Sequence, residues 1–326
     1  MAFDFDAAVH VPHRMQPGLR RLPPGAAQLT PTAVPHRGVA RHLREKLAVL
    51  GAFRHQALLQ APGFDAGPAL AALAAHAAAE QPQALQTDGA TWRAPGLGWA
   101  LDADDQPQPA DPAGHRDWPE IGPLLASIDR PWRRAALLSL AFAEDFAVVD
   151  GTTGTLPWLA VALPSMWAPE EKVGRSFAEA HAPVADNRLI VGAAPQLVKL
   201  VTSAEPWERF VWTLTAHPRL HGHPQRVDPA RWAPGLDDDQ LAAQTWWRTE
   251  RQTFIPVPGQ RQSVFTILVN VTPLTRAFTT PAQAARVHDA LGSMSDAVLD
   301  YRGLTHARPA LLRWLARQAE GGDPHA

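Results

Sequence analysis

The first candidate for chemistry is a histidine near the end of a helical pattern. Residues 164–184 read PSMWAPEEKVGRSFAEAHAPV. Pro169 suits a first helical turn, where its missing N–H costs nothing, and Glu170 and Glu171 suit the positive helix end. Val173, Phe177 and His181 recur at i, i+4 and i+8, and Pro183 disfavours the α region at Ala182. The spacing predicts a helix over 169–180 that ends at an inward-facing His181. The last carbonyls of a helix lack partners, so one can take the Nδ1 proton and leave the Nε2 lone pair for a metal. A plain carbonyl cap explains the same spacing, and spacing alone favours the cap.

Three other groups compete with it. His217, His221 and His223 in HPRLHGHP have a His-x-His spacing that can chelate zinc or iron, or they form a polar turn. The run WWRTERQTF, 246–254, alternates so that Trp246, Arg248, Glu250 and Gln252 share one face and Trp247, Thr249, Arg251 and Thr253 the other. A strand polar on both faces is either a solvated edge or the wall of a polar pocket, because buried charge is expensive unless paired. Glu144-Asp145 reads as a solvated helix-to-strand turn. No phosphate-binding glycine loop, serine nucleophile elbow or His-Glu-x-x-His motif is present.

The elements that must position these groups follow from periodicity. Residues 1–37, with six prolines, read as an extended arm rather than a helix. Helices are expected over 41–59 (Leu43, Leu47, Leu50 and Phe53 inward, Glu45 and Lys46 outward), 69–80, 131–143, 188–201 (kinked or broken at Pro195), 281–291 and 309–318. A short strand pair is expected over 91–101, and a linker over 106–113. Strands are expected at 146–149, 156–163, 210–215, 246–255 and 263–271, the last two as a hairpin. Helices and strands are segregated, which predicts an α+β fold with an antiparallel sheet. Five strands with helices after the second have the order of a PAS-like domain. We expect one large domain over 38–326, with its core at about 141–275 and a helical segment at about 279–320.

Composition narrows the chemistry. Among 326 residues there is no cysteine, so the chain supplies no thiolate nucleophile, disulfide, iron–sulfur cluster or thiolate-ligated haem. A net charge of −2 gives no sign of nucleic-acid binding. No apolar run reaches the ~20 residues of a membrane helix, and no signal-peptide pattern opens the chain, so a soluble, cytoplasmic protein is expected.

Short pieces in a fixed order carry a resemblance. They are His13-Arg14-Met15 with Gly18-Leu19-Arg20, Glu144-Asp145-Phe146, Pro164-Ser165 with Trp167, and Glu171-Lys172-Val173-Gly174-Arg175. His181-Ala182-Pro183-Val184 follows, then Trp212 with Pro218-Arg219-Leu220-His221, then Arg248-Thr249-Glu250-Arg251-Gln252-Thr253, and finally Phe265-Thr266-Ile267. Together they resemble the haem-dependent oxidative N-demethylases. The resemblance implies a PAS-fold protein with haem b on a histidine ligand, His181 first and His221 in reserve. It implies oxidative demethylation of a small secondary amine, with O₂ as co-substrate and electrons from NADPH through a partner carrying flavin and iron–sulfur centres. Under it, Glu250 becomes the carboxylate for a protonated amine. Arg248 or Arg251 becomes the partner of the haem propionates, and Trp158, Trp212 and Trp247 become aromatic walls. A non-catalytic PAS-like haem- or ligand-binding protein is the alternative. Two departures stand out: Met166 occupies a position that is often Arg, and Leu268-Val269-Asn270 replaces an Arg and Tyr after Phe265-Thr266-Ile267.

Overall fold

A computed structural model describes residues 3–33, 40–110, 117–227 and 231–321. It is α+β. The strands are β1 (Arg20–Arg21), β2 (Leu58–Gln60), β3 (Gln86–Thr87), β4 (Trp92–Ala94), β5 (Trp99–Leu101), β6 (Pro107–Pro109), β7 (Asp145–Asp150), β8 (Thr155–Ala160), β9 (Trp207–Thr215), β10 (Trp246–Pro256) and β11 (Gln262–Pro273). Seven of them form an antiparallel sheet in the order β1-β9-β10-β11-β7-β8-β2. A second sheet runs β3-β4-β5-β6. The five expected strands are thus present, but β1 and β2 extend them at both edges to seven.

β10 resolves the ambiguity of its polar sequence. It lies between β9 and β11, and Trp247–Arg251, residues 247–251, are all buried. It is therefore no solvated edge, and its polar side chains must find partners inside the protein.

Several local expectations change. The helix Ala40–Ala57 forms, but Lys46 points inward and is fully buried. It lies three residues from Leu43 and four from Leu50, on their stripe, and its Nζ lies 3.2 Å from Asp145. That Nζ also donates to the Phe142 and Glu144 carbonyls at 3.0 and 2.5 Å. Glu144 and Asp145 are likewise buried rather than solvated, at 1% and 0% exposure. The linker expected over 106–113 is instead partly structured: Pro107–Pro109 is the edge strand β6, where missing N–H donors are tolerated. Residues 111–113 lie outside the described residues. The arm holds one helical turn, Phe5–Ala8, capped by Asp4, in a stretch before the first proline. The arm packs on the domain: Phe3 and Phe5 meet Trp247, and Arg20–Arg21 pairs with β9.

The helix expected over 169–180 is two pieces. A 3₁₀ turn spans Pro169–Glu171, and a separate helix spans Phe177–His181. Gly174 at φ +75° separates them, a conformation that suits glycine. Ser176 and Glu179 form a reciprocal capping box that starts the second piece. The 188–201 segment breaks, as expected, into Arg188–Gly192 and Ala194–Val201 just before Pro195.

Candidate functional site

One face of β9, β10 and β11, roofed by the helices of 177–201, borders a cavity of about 480 Å³. That lies within the ~300–1,000 Å³ range usual for small-molecule sites. Its apolar wall includes Ala147, Val149, Leu156, Leu159, Phe254 and Phe265. Met15, Pro17 and Leu19 of the N-terminal arm border it as well.

His181 is the last residue of its helix and lines this cavity. Its Nδ1 lies 2.7 Å from the Phe177 carbonyl, which can only accept, so Nδ1 carries the proton. Nε2 makes no hydrogen bond with the described residues and presents its lone pair. Phe177 packs at 4.2 Å between ring centroids and fixes the ring from one side. The imidazole is pushed down to about 4, chiefly by burial and further by the charges of Arg209 and Lys172, against the opposing Phe177 hydrogen bond. It is neutral at pH 7, the form a metal requires.

β10 sends Arg248, Glu250, Gln252 and Phe254 to the cavity, as period-two alternation dictates. Glu250 is its lining carboxylate, and Gln252 Nε2 donates to Glu250 Oε2 at 2.6 Å. Arg248 lines the cavity but is fully committed. Its Nε donates to Ser165 Oγ at 2.7 Å, and its Nη atoms donate to the carbonyls of Arg219, Pro164 and Leu220. Burial lowers it to about 10, so it remains charged and serves as a brace between 164–165 and 219–220.

The other expected residues divide. Trp212 lines the cavity and stacks on Trp247 at 4.8 Å. Trp158 instead stacks on Trp132, off the cavity. Arg251 points away, as its odd position requires, and binds Glu208 Oε2 through Nε and Nη2 at 3.0 and 2.9 Å. The pairing with a cavity ligand expected of Arg251 is therefore not available. His221 does not line the cavity. Its Nδ1 meets the Ala162 carbonyl at 2.7 Å, while its ring stacks between Phe53 and His223. His223 Nε2 is 3.1 Å from Glu170. Among the described residues no group of three or more His, Asp or Glu stands together as metal ligands, so the three-histidine chelate does not assemble.

Of the two departures, Met166 lines the cavity, at φ +63°. Leu268 and Asn270 lie opposite Arg251 and Thr249 and share their side of the sheet. These two therefore change the back of the sheet, while Val269 between them stands opposite Glu250 on the cavity side.

Sequence reasoning missed several lining residues, Arg209 and Arg302 among them. Arg209 lies one position before the expected strand 210–215, and only its register opposite Gln252 shows where it points. Arg302 ends the helix Asp296–Arg302, which no periodicity had marked. Tyr301, beside it, also lines the cavity.

The donor set is a single neutral imidazole with a free Nε2, apolar walls, unpaired guanidinium N–H groups and one carboxylate. These residues fit a large planar ligand with a metal at its centre and acids at its rim. No helix among the described residues is long and apolar enough to cross a membrane. The sequence pattern of a family described as haem-dependent oxidative N-demethylase, alpha subunit-like, matches residues 127–312. That span is more than half of the chain, and it contains His181, Arg209, Glu250 and Arg302.

Proposed function

The chain belongs to the haem-dependent oxidative N-demethylase family, alpha subunit-like, and from that premise we propose that it binds haem b through His181 and removes a methyl group from a small secondary amine. One observation carries the reading: a neutral imidazole, its Nδ1–H held by the Phe177 carbonyl, offers Nε2 to a cavity that also holds Glu250. The five strands β7 to β11 support a PAS-like core. Numbered one to five in chain order, they run 2-1-5-4-3, with helices inserted after the second.

Bound haem supplies the oxidising chemistry at the N-methyl carbon. The protein residues do the rest. The Phe177 carbonyl fixes the tautomer and orientation of His181 and raises its basicity. That effect matters because a chain without cysteine has no thiolate to offer as a stronger donor to the metal. Glu250, oriented by Gln252, accepts the N–H of a protonated amine, whereas the Trp212 ring is already covered by Trp247 and Arg302. The apolar wall excludes water. The balance is an N-methyl amine plus O₂, two electrons and two protons, giving the demethylated amine, formaldehyde and water. The electrons, from NADPH, come from a partner reductase with flavin and iron–sulfur centres, consistent with the alpha-subunit wording of the family description.

Haem reconstitution tests the ligand: folded wild-type protein gains a Soret band that His181→Ala loses. Haem-supplemented, folded protein with no Soret band sinks the reading. Formaldehyde release from dimethylamine, with a reductase and O₂, then separates the enzyme from a haem-binding protein without turnover.

A further inference from the structure

Alongside the neutral His181, five cationic side chains line the cavity: Lys172, Arg209, Arg231, Arg248 and Arg302. Glu250 is the carboxylate among its lining residues. Three of the cations are satisfied by the protein. Lys172 Nζ donates to the Ala180 carbonyl, Arg231 Nη1 to the Arg302 carbonyl, and Arg248 to three carbonyls and a hydroxyl.

The other two are not. Arg209 makes no hydrogen bond or ion pair among the described residues, and its Nε is buried without a partner. Glu250 attracts it only through space. Arg302 lies over the Trp212 ring at 5.6 Å, gives Nη2 to the Met15 sulfur at 3.7 Å, and leaves Nη1 buried and unmet. Both side chains are half-buried, with the cavity as their open side, and arginine keeps its charge in such sites. A half-buried charge with unmet N–H groups on a cavity wall favours an anion that arrives to pair with it. Two such groups in one cavity call for a ligand with two anionic arms.

We propose that Arg209 and Arg302 are the carboxylate receptors of the cavity, each taking one of the two propionates of haem b. The inference rests on the haem reading above and moves the propionate contacts from Arg248 and Arg251 to two residues on other elements. Arginine suits the task because its planar fork binds a carboxylate through two parallel hydrogen bonds. With Arg209 on β9 and Arg302 on a C-terminal helix, the ligand would also tie the C-terminal helices to the sheet.

The test compares haem b with its dimethyl ester, which keeps the macrocycle and loses both charges. Each is titrated into the full chain and followed by the Soret band. Wild type is expected to prefer haem b. Arg209→Met and Arg302→Met should each weaken haem b about tenfold or more and leave the ester unchanged, while Arg209→Lys recovers part of the loss. Apo Arg209→Met should melt no lower than wild type, because it removes a half-buried charge whose Nε has no partner. Equal losses for both ligands, no loss for either, or a lower apo melting temperature for Arg209→Met overturns the inference. If wild type binds haem b with no preference over the ester, the inference fails and the haem reading stands. If wild type binds neither, both fail.

Discussion

Lys46 and Arg209 are two interior cations attached to the same sheet, and the protein treats them in opposite ways. Lys46 has 0% exposure and complete partners: Asp145 at 3.2 Å and the carbonyls of Phe142 and Glu144. Asp145 in turn accepts the N–H groups of Ala162 and Leu163 at 3.1 and 2.6 Å. That closed network joins the helix Ala40–Ala57 to β7 and to the segment after β8. Arg209 has no such partner, and its open side is the cavity. A satisfied buried charge fixes the fold, whereas an unsatisfied one beside a cavity leaves binding energy for a ligand.

The largest effect is expected from breaking the closed network. Lys46→Met leaves Asp145 without its counter-charge in the interior and should cost about 3–5 kcal/mol in urea unfolding. A loss below about 1 kcal/mol would mean that the network does not anchor the fold, and the contrast with Arg209 would collapse.

Glu144 sharpens the comparison through pH. Burial pushes its carboxyl up to about 7, against the Thr30 N–H and the nearby Lys46 charge, and one of its oxygens is unmet. Unfolded, it titrates near 4.5. Between about 4.5 and 7 the folded state holds a proton that the unfolded state has released, so stability falls as pH rises through this window. Glu144→Gln should match wild type at pH 4 and be more stable at pH 8, by up to about 3 kcal/mol. Parallel stability curves for the two proteins across that range would refute the assignment.

The smallest effect concerns the piece of chain that carries His181. Ser176 Oγ accepts from the Glu179 N–H at 3.2 Å and starts a helix of five residues. Ser176→Ala should cost about 1 kcal/mol of local stability. Because the helix is so short, the loss should appear as weaker haem retention more than as a lower melting temperature. A haem affinity equal to wild type would show that the Phe177 contact and the Asn187 amide, which donates to the His181 and Ala182 carbonyls at 3.1 and 2.8 Å, hold the helix end without the cap.

Parts of this were legible in the residues. Alternation in 246–254 separated Glu250 and Gln252 from Arg251, because a strand's period is fixed by its backbone. The helix end before Pro183 and the unpaired carbonyls of a last helical turn anticipated the His181 geometry, the structure adding that Phe177 supplies the carbonyl, although the stripe through Val173 does not lie on one helix. Lys46 was misread because a charged residue is normally assigned to the solvent face, and its partner lies about a hundred residues away. Arg209 and Arg302 were missed for a related reason: neither its own neighbours nor any periodicity shows that a side chain lacks a partner.

The order of residues is enough to specify the segregated helices and strands, the side of β10 that each residue takes, and the lack of cysteine chemistry in this chain. These follow from local backbone periodicity and from composition. Which charges are paired and which face the cavity without a partner emerges only in the assembled fold. Pairing depends on strand register and on contacts between distant segments, and a shift of one residue would exchange every side chain between the cavity and the back of the sheet.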